Sequence, residues 1–149
     1  MNEQERNAEL FRRLMNEGFA KGNAAVVDEL ISPDFREHME VGSPGPEGVK
    51  ELILSLHKTF PDFHCELQDV AAVGGLVWGR NMGGGTDRGG FAGNPPTGKT
   101  VAVESFDLCR FEGGKVVEHW GIVDRLGMLE QLGLIPPLGG RPPGLIQAS

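Results

Sequence analysis

Residues 116–124 read Val-Val-Glu-His-Trp-Gly-Ile-Val-Asp, and this stretch decides the fold. It follows a Gly113-Gly114 turn and precedes a short helical run, Leu126-Gly-Met-Leu-Glu-Gln-Leu132. Its β-branched and aromatic residues predict a strand. Strand side chains alternate between faces, so Glu118, Trp120, Ile122 and Asp124 are expected on one side. A carboxylate beside an isoleucine and a tryptophan on one face either sits at a wet sheet edge or lines a pocket. Asp is also a favoured helix cap, and Asp124 stands where the next helix begins.

Working outward, residues 100–111 form the preceding strand, and a two-residue Gly-Gly turn sets the pairing. That register places Glu112 opposite Lys115 and Val103 opposite Asp124. One face then carries Val103, Ser105, Asp107, Trp120, Ile122 and Asp124. The other carries Phe106, Leu108, Val117, His119 and Val123, which makes His119 a structural or interfacial residue. Upstream, residues 63–70 and 76–82 change to a period of two and predict two more strands. The glycine-dense stretch from Gly83 to Gly98, with Pro95-Pro96, predicts a loop that acts as a flexible flap over a cavity mouth.

The N-terminal third is helical in pattern. Leu10, Phe11, Leu14, Met15 and Phe19 give an amphipathic helix over residues 3–21, ended by Gly22. A short second helix over residues 24–31 stops at Ser32-Pro33. An extended piece covers residues 34–39. Pro46 opens a third helix with an apolar stripe of Val49, Leu52, Ile53, Leu56 and Phe60. Three helices followed by antiparallel strands make an α+β layout: a cone whose curved sheet encloses a cavity. The domain is expected over residues 1–134. A Pro/Gly-rich irregular tail follows over residues 135–149.

The 149 residues suit one domain with a sizeable core. A net charge of −7 speaks against a nucleic-acid footprint. No apolar run is long enough for a membrane span, and the charged first residues lack a leader's apolar region. Cys65 and Cys109 are far apart and outside any Cys-x-x-Cys pair, so free thiols are expected, with no metal site. Together these predict a cytoplasmic protein.

Several motifs resemble those of the SnoaL-like polyketide cyclases. They are Gly45-Pro-Glu-Gly-Val-Lys50, Thr59-Phe-Pro-Asp-Phe63, Gly90-Phe-Ala-Gly-Asn-Pro-Pro-Thr-Gly98, and Arg110-Phe-Glu-Gly-Gly-Lys-Val-Val-Glu-His-Trp120 running on through Asp124 to Gly133. The resemblance implies the cone-shaped fold of the nuclear transport factor superfamily. It also implies a pocket without metal or cofactor, and a homodimer or larger homo-oligomer. Characterised members close a ring by intramolecular aldol condensation of a polyketide ester, with an aspartate matching Asp124 as acid/base. This chain departs from similar sequences at Asp87, Asn81 and Arg110. Histidine is frequent at the first, an aromatic residue at the second, and the founding cyclase has histidine at the third.

The expected site follows. Asp124 shuttles a proton, Asp107 adds like charge or a second acid/base group, and His38 hydrogen-bonds an enolate oxygen. Trp120, Ile122, Ser105, Asp87 and Phe91 hold a hydrophobic small-molecule substrate. The expected activity is cofactor-independent ring closure. Hydrolysis or isomerisation of a hydrophobic molecule, such as epoxide opening, and a non-catalytic binding domain are the alternatives.

Overall fold

A computed structural model describes residues 1–40 and 42–137. Helix α1 (Glu3–Arg13) starts at Asn2, whose side chain accepts from the Glu5 amide while Glu5 reaches back to the Asn2 amide. This reciprocal cap satisfies two otherwise orphaned donors. The helix continues as a π-helical segment, Leu14–Ala20, and Gly22 turns the chain with φ 74°. Helix α2 (Val26–Leu30) is shorter than the pattern predicts, because Ile31 already belongs to strand β1 (Ile31–Glu37). Helix α3 (Pro46–Thr59) carries proline at its first position, as expected. Strands β2 (His64–Val73), β3 (Leu76–Thr86), β4 (Thr100–Glu112) and β5 (Lys115–Val123) follow, then helix α4 (Arg125–Gln131).

The sheet runs β1-β5-β4-β3-β2, antiparallel except for the parallel β1–β5 pair. It is a five-stranded mixed sheet and does not close into a barrel. Proline at position 33 is tolerated because β1 is an edge strand. The helices cover one face. Phe11, Leu14, Val26, Leu30 and Ile53 pack there against Val77, Cys109, Phe111 and Val116 of the sheet. A smaller cluster of Phe60, Val101 and Leu132 joins α3 and α4 at the other end. No helix among the described residues is long and apolar enough to cross a membrane.

Two expectations need correction. The first is the loop boundary: β3 does not stop at Met82 but continues through Gly83-Gly84-Gly85 to Thr86. These glycines are in the strand because neighbours crowd it. A Cβ on Gly84 would collide with the Val101 carbonyl oxygen, and one on Gly85 would sit 2.8 Å from Phe60 Cβ. The second is the β4–β5 register. Glu112 does pair with Lys115 and Phe111 with Val116, but the next pair is Arg110 with Glu118. Val117 is therefore an extra residue on β5, a bulge. Beyond it every β5 residue is shifted by one against β4, so the two faces exchange members. Asp107 now pairs with Gly121, Leu108 with Trp120, and Cys109 with His119. Asp124 meets Glu104, whose carbonyl accepts its amide, instead of Val103.

The expected irregular tail, residues 135–149, lies outside the described residues beyond Pro137.

Candidate active site

Between the helices and the concave face of the sheet lies a cavity of about 250 Å³. Its walls are overwhelmingly apolar, with Phe11, Phe35, Phe60, Phe63 and Phe91 among them. Three ionisable side chains meet at this cavity, Glu37 at the end of β1, Asp107 on β4 and His119 on β5, with the shifted register bringing His119 in, and Arg125 also lines it. His119 lies between the two carboxylates. Its Nδ1 is 2.7 Å from Glu37 Oε1 and its Nε2 is 2.8 Å from Asp107 Oδ1.

Ionised carboxylates only accept hydrogen bonds, so both ring nitrogens must carry hydrogen: His119 is an imidazolium. Burial works against the charge, but the hydrogen bonds to Asp107 and Glu37 outweigh it and raise the pKa from 6.5 to about 9. The group carries two negative charges and one positive, a net −1 facing hydrocarbon. The same burial, with the Asp107 charge added, pushes the Cys65 thiol up to about 11 and keeps it neutral at pH 7.

Two further residues shape this cluster. Asn81, 1 % exposed, donates from Nδ2 to Asp107 Oδ2 at 2.9 Å. Gly121 leaves room for the ring. A Cβ there would lie 2.7 Å from Met39 Sδ, 2.9 Å from His119 Cε1 and 3.0 Å from Asp107 Oδ1. Sequence alone did not mark Glu37 or Gly121; it set His119 on the opposite face as structural or interfacial and noted Asn81 only as a departure from similar sequences. Gly121 was the one available signal, since glycine inside a strand marks a bulge or a close approach. Glu37 meets His119 only through the parallel β1–β5 pairing, across 82 positions of chain.

The expected site residues are dispersed. Asp107, Ser105 and Phe91 do line the cavity. Trp120 and Ile122 do not; the bulge turns both to the outer face of the sheet. There Trp120 stacks on His38 with ring centres 4.7 Å apart. His38 is accordingly outside the cavity too, and its Nε2 lies 2.7 Å from Glu118 Oε2. Asp87 is fully buried inside its own loop. Its carboxylate accepts from the Gly90 amide and from both the amide and the hydroxyl of Thr97. These bonds, and those from the Arg88 and Gly89 amides to the Thr59 carbonyl, pin the loop where a flexible flap was expected. Asp124 caps α4, its Oδ1 accepting from the Gly127 amide at 3.0 Å. Val123, Arg125 and Met128 around it line the cavity, but Asp124 is not among the lining residues.

Comparison with known proteins places this geometry. A family model described as SnoaL-like polyketide cyclase matches residues 9–132. Among solved structures, IdmH of Streptomyces antibioticus, provisionally described as a polyketide cyclase, is 33% identical, with a TM-score of 0.73 over 85% of this chain and 98% of that one. TsrD of Streptomyces laurentii is 24% identical, with a TM-score of 0.83 over 91% of this chain and 100% of that one. A SnoaL-like cyclase-type protein from Jannaschia is 26% identical, with a TM-score of 0.79 over 89% and 95% of the two chains. No curated protein matches the chain.

Proposed function

Since the chain belongs to the SnoaL-like polyketide cyclase family, we propose that it is an enzyme that closes a ring in a neutral, hydrophobic polyketide-type ester by proton transfer inside the cavity. One observation carries this reading: a buried imidazolium held between two carboxylates in an otherwise apolar hollow. The net negative charge of the Glu37–His119–Asp107 cluster suits removal of a proton, and Arg125 also lines the cavity. A proton between two carbonyls is acidic enough for a carboxylate to remove, and the resulting enolate attacks a second carbonyl folded against it. The phenylalanine walls hold the reacting ends together. Well-oriented intramolecular reactions gain roughly 7–11 kcal/mol from that alone. A volume near the lower end of ligand sites, which start at roughly 300 Å³, favours a compact substrate or the compact end of a longer one.

The test is a linear, hydrophobic β-keto ester carrying a distal ketone, incubated in deuterated water and followed by NMR for loss of the α-proton and for a cyclised product. Wild type is expected to accelerate exchange, and His119→Leu, which removes the cation that holds both carboxylates in place, to lose about 10²–10⁴-fold, the usual worth of the acid–base group it positions. Asp124→Asn keeps a good helix cap and is expected to stay within a few-fold of wild type. Exchange that survives in His119→Leu but vanishes in Asp124→Asn would move the chemistry back to Asp124. Hydrolysis of the ester without ring closure would support the hydrolase alternative.

We propose further that two copies pair through the outer face of the sheet. Its middle carries Trp78, Leu108 and Trp120 in one cross-strand row and Phe106 and Ile122 in the next. Phe106 and Ile122 are 54% and 76% exposed. At one end of this apolar band sit Arg36, Arg110 and Glu118, net positive; at the other sit Asp69, Arg80 and Glu104, net negative. A two-fold axis lying between two such faces, across the strands, sets each positive end over the partner's negative end. Sedimentation at micromolar concentration should give a dimer, and Ile122→Glu a monomer. A monomeric wild type would end this proposal.

A further inference from the structure

Resting on that reading, we infer that Asn81 is a positioning residue that commits Asp107 to holding His119, and so leaves Glu37 as the group that takes the substrate's proton. The two carboxylates flank one imidazole and look interchangeable, but their remaining oxygens differ. Both Asp107 oxygens are engaged: Oδ1 accepts from His119 Nε2 and Oδ2 from Asn81 Nδ2. Asn81 must present its amide nitrogen here, because the carboxylate can only accept. Its own oxygen faces the Cys65 thiol at 3.8 Å. Glu37 places both its bonds on one atom, Oε1, which accepts from His119 Nδ1 and from the Met39 amide at 3.0 Å. Among the described residues no donor reaches Glu37 Oε2. The titratable groups facing this oxygen's carboxylate are His119 on β5 and Asp107 and Cys109 on β4.

The step balances within the cavity. The substrate C–H bond breaks, its electron pair stays on the substrate as an enolate, and the proton goes to Glu37 Oε2. The enolate then forms the new C–C bond to the second carbonyl. Glu37 returns its proton to the alkoxide so formed. Net charge stays at −1 throughout, and His119 keeps both ring protons, paired with Asp107 while Glu37 is neutral. The symmetry between the two carboxylates is therefore broken by Asn81.

The experiment has a kinetic arm and a substrate-free arm. In the exchange assay, Glu37→Ala is expected to lose at least a hundred-fold in kcat and to regain activity with added acetate, in proportion to acetate concentration. Asp107→Ala should not be rescued. Asn81→Leu should lower kcat about ten-fold with KM nearly unchanged. In that background Glu37→Gln should cost only a few-fold, because the freed Asp107 can take the proton. Without substrate, the Asn81 side-chain amide should appear in NMR as a solvent-protected signal that moves in Asp107→Asn and not in Glu37→Gln. Acetate rescue of Asp107→Ala but not of Glu37→Ala, or an Asn81 signal indifferent to Asp107, would overturn the assignment. If Asn81→Leu fails to fold, acetate rescue and the wild-type amide signal still decide. A wild type inert toward every carbon acid would instead sink the proton-transfer reading, leaving the amide signal to judge the Asn81–Asp107 link.

Discussion

Taking the pH from about 6 to about 10 is expected to remove on the order of 3 kcal/mol of folding stability through His119 alone. The sign follows from the folded pKa standing above the unfolded one, about 9 against 6.5. The protonated ring is favoured in the folded state by its two carboxylate partners, so its contribution is complete below the unfolded pKa. It shrinks as pH rises between the two values and is gone above the folded one. At about 1.4 kcal/mol per pKa unit, the interval gives the stated order of magnitude. The side chain is only 15% exposed, so solvent screening takes little from it. Urea denaturation of wild type and His119→Gln over this range checks the claim. Up to about pH 8, below the ordinary thiol pKa, wild type should lose stability while the variant stays nearly flat; above it the raised thiols of Cys65 and Cys109 lower both proteins alike. Equal slopes would mean that His119 is not charged in the folded protein.

Asp87→Ala is expected to destabilise the fold by about 3–5 kcal/mol, because three donors lose a charged partner and at least two are backbone amides with no alternative. Asp87 is fully buried, so water cannot substitute. Burial tends to raise its pKa, but the hydrogen bonds from Thr97 and Gly90 prevail and lower it. The carboxylate therefore stabilises the fold above the ordinary carboxyl pKa, and that contribution fades as pH falls through the depressed folded value. The loop it holds also carries Phe91 into the cavity wall. Asp87→Ala should thus weaken binding of a hydrophobic ligand as well as lower the denaturation midpoint. A midpoint unchanged within error would show that the loop is held by its main chain alone. Asp87→Asn, which keeps one acceptor oxygen, should fall between wild type and alanine.

What the sequence determined by itself was the order and kind of the elements and the side of each helix that is buried. Hydrophobic spacing in residues 3–21 and 46–59, proline at position 46 and the Gly113-Gly114 turn are local signals, and local sterics and burial obey them. The family motifs likewise pointed to the right fold. Tertiary structure alone decided which face of β5 looks inward. A single extra residue at Val117 exchanged the faces of β5, sending Trp120 and Ile122 out and bringing His119 in, and no periodicity within residues 116–124 distinguishes the two outcomes. The carboxylate that mattered at the cavity shifted for the same reason. Asp124 sits where a helix start needs a cap, whereas Glu37 reaches His119 only because β1 lies parallel beside β5. Pairing across 82 positions of chain is set by how the whole sheet packs against its helices, and the energy that selects it is shared among residues far from the site.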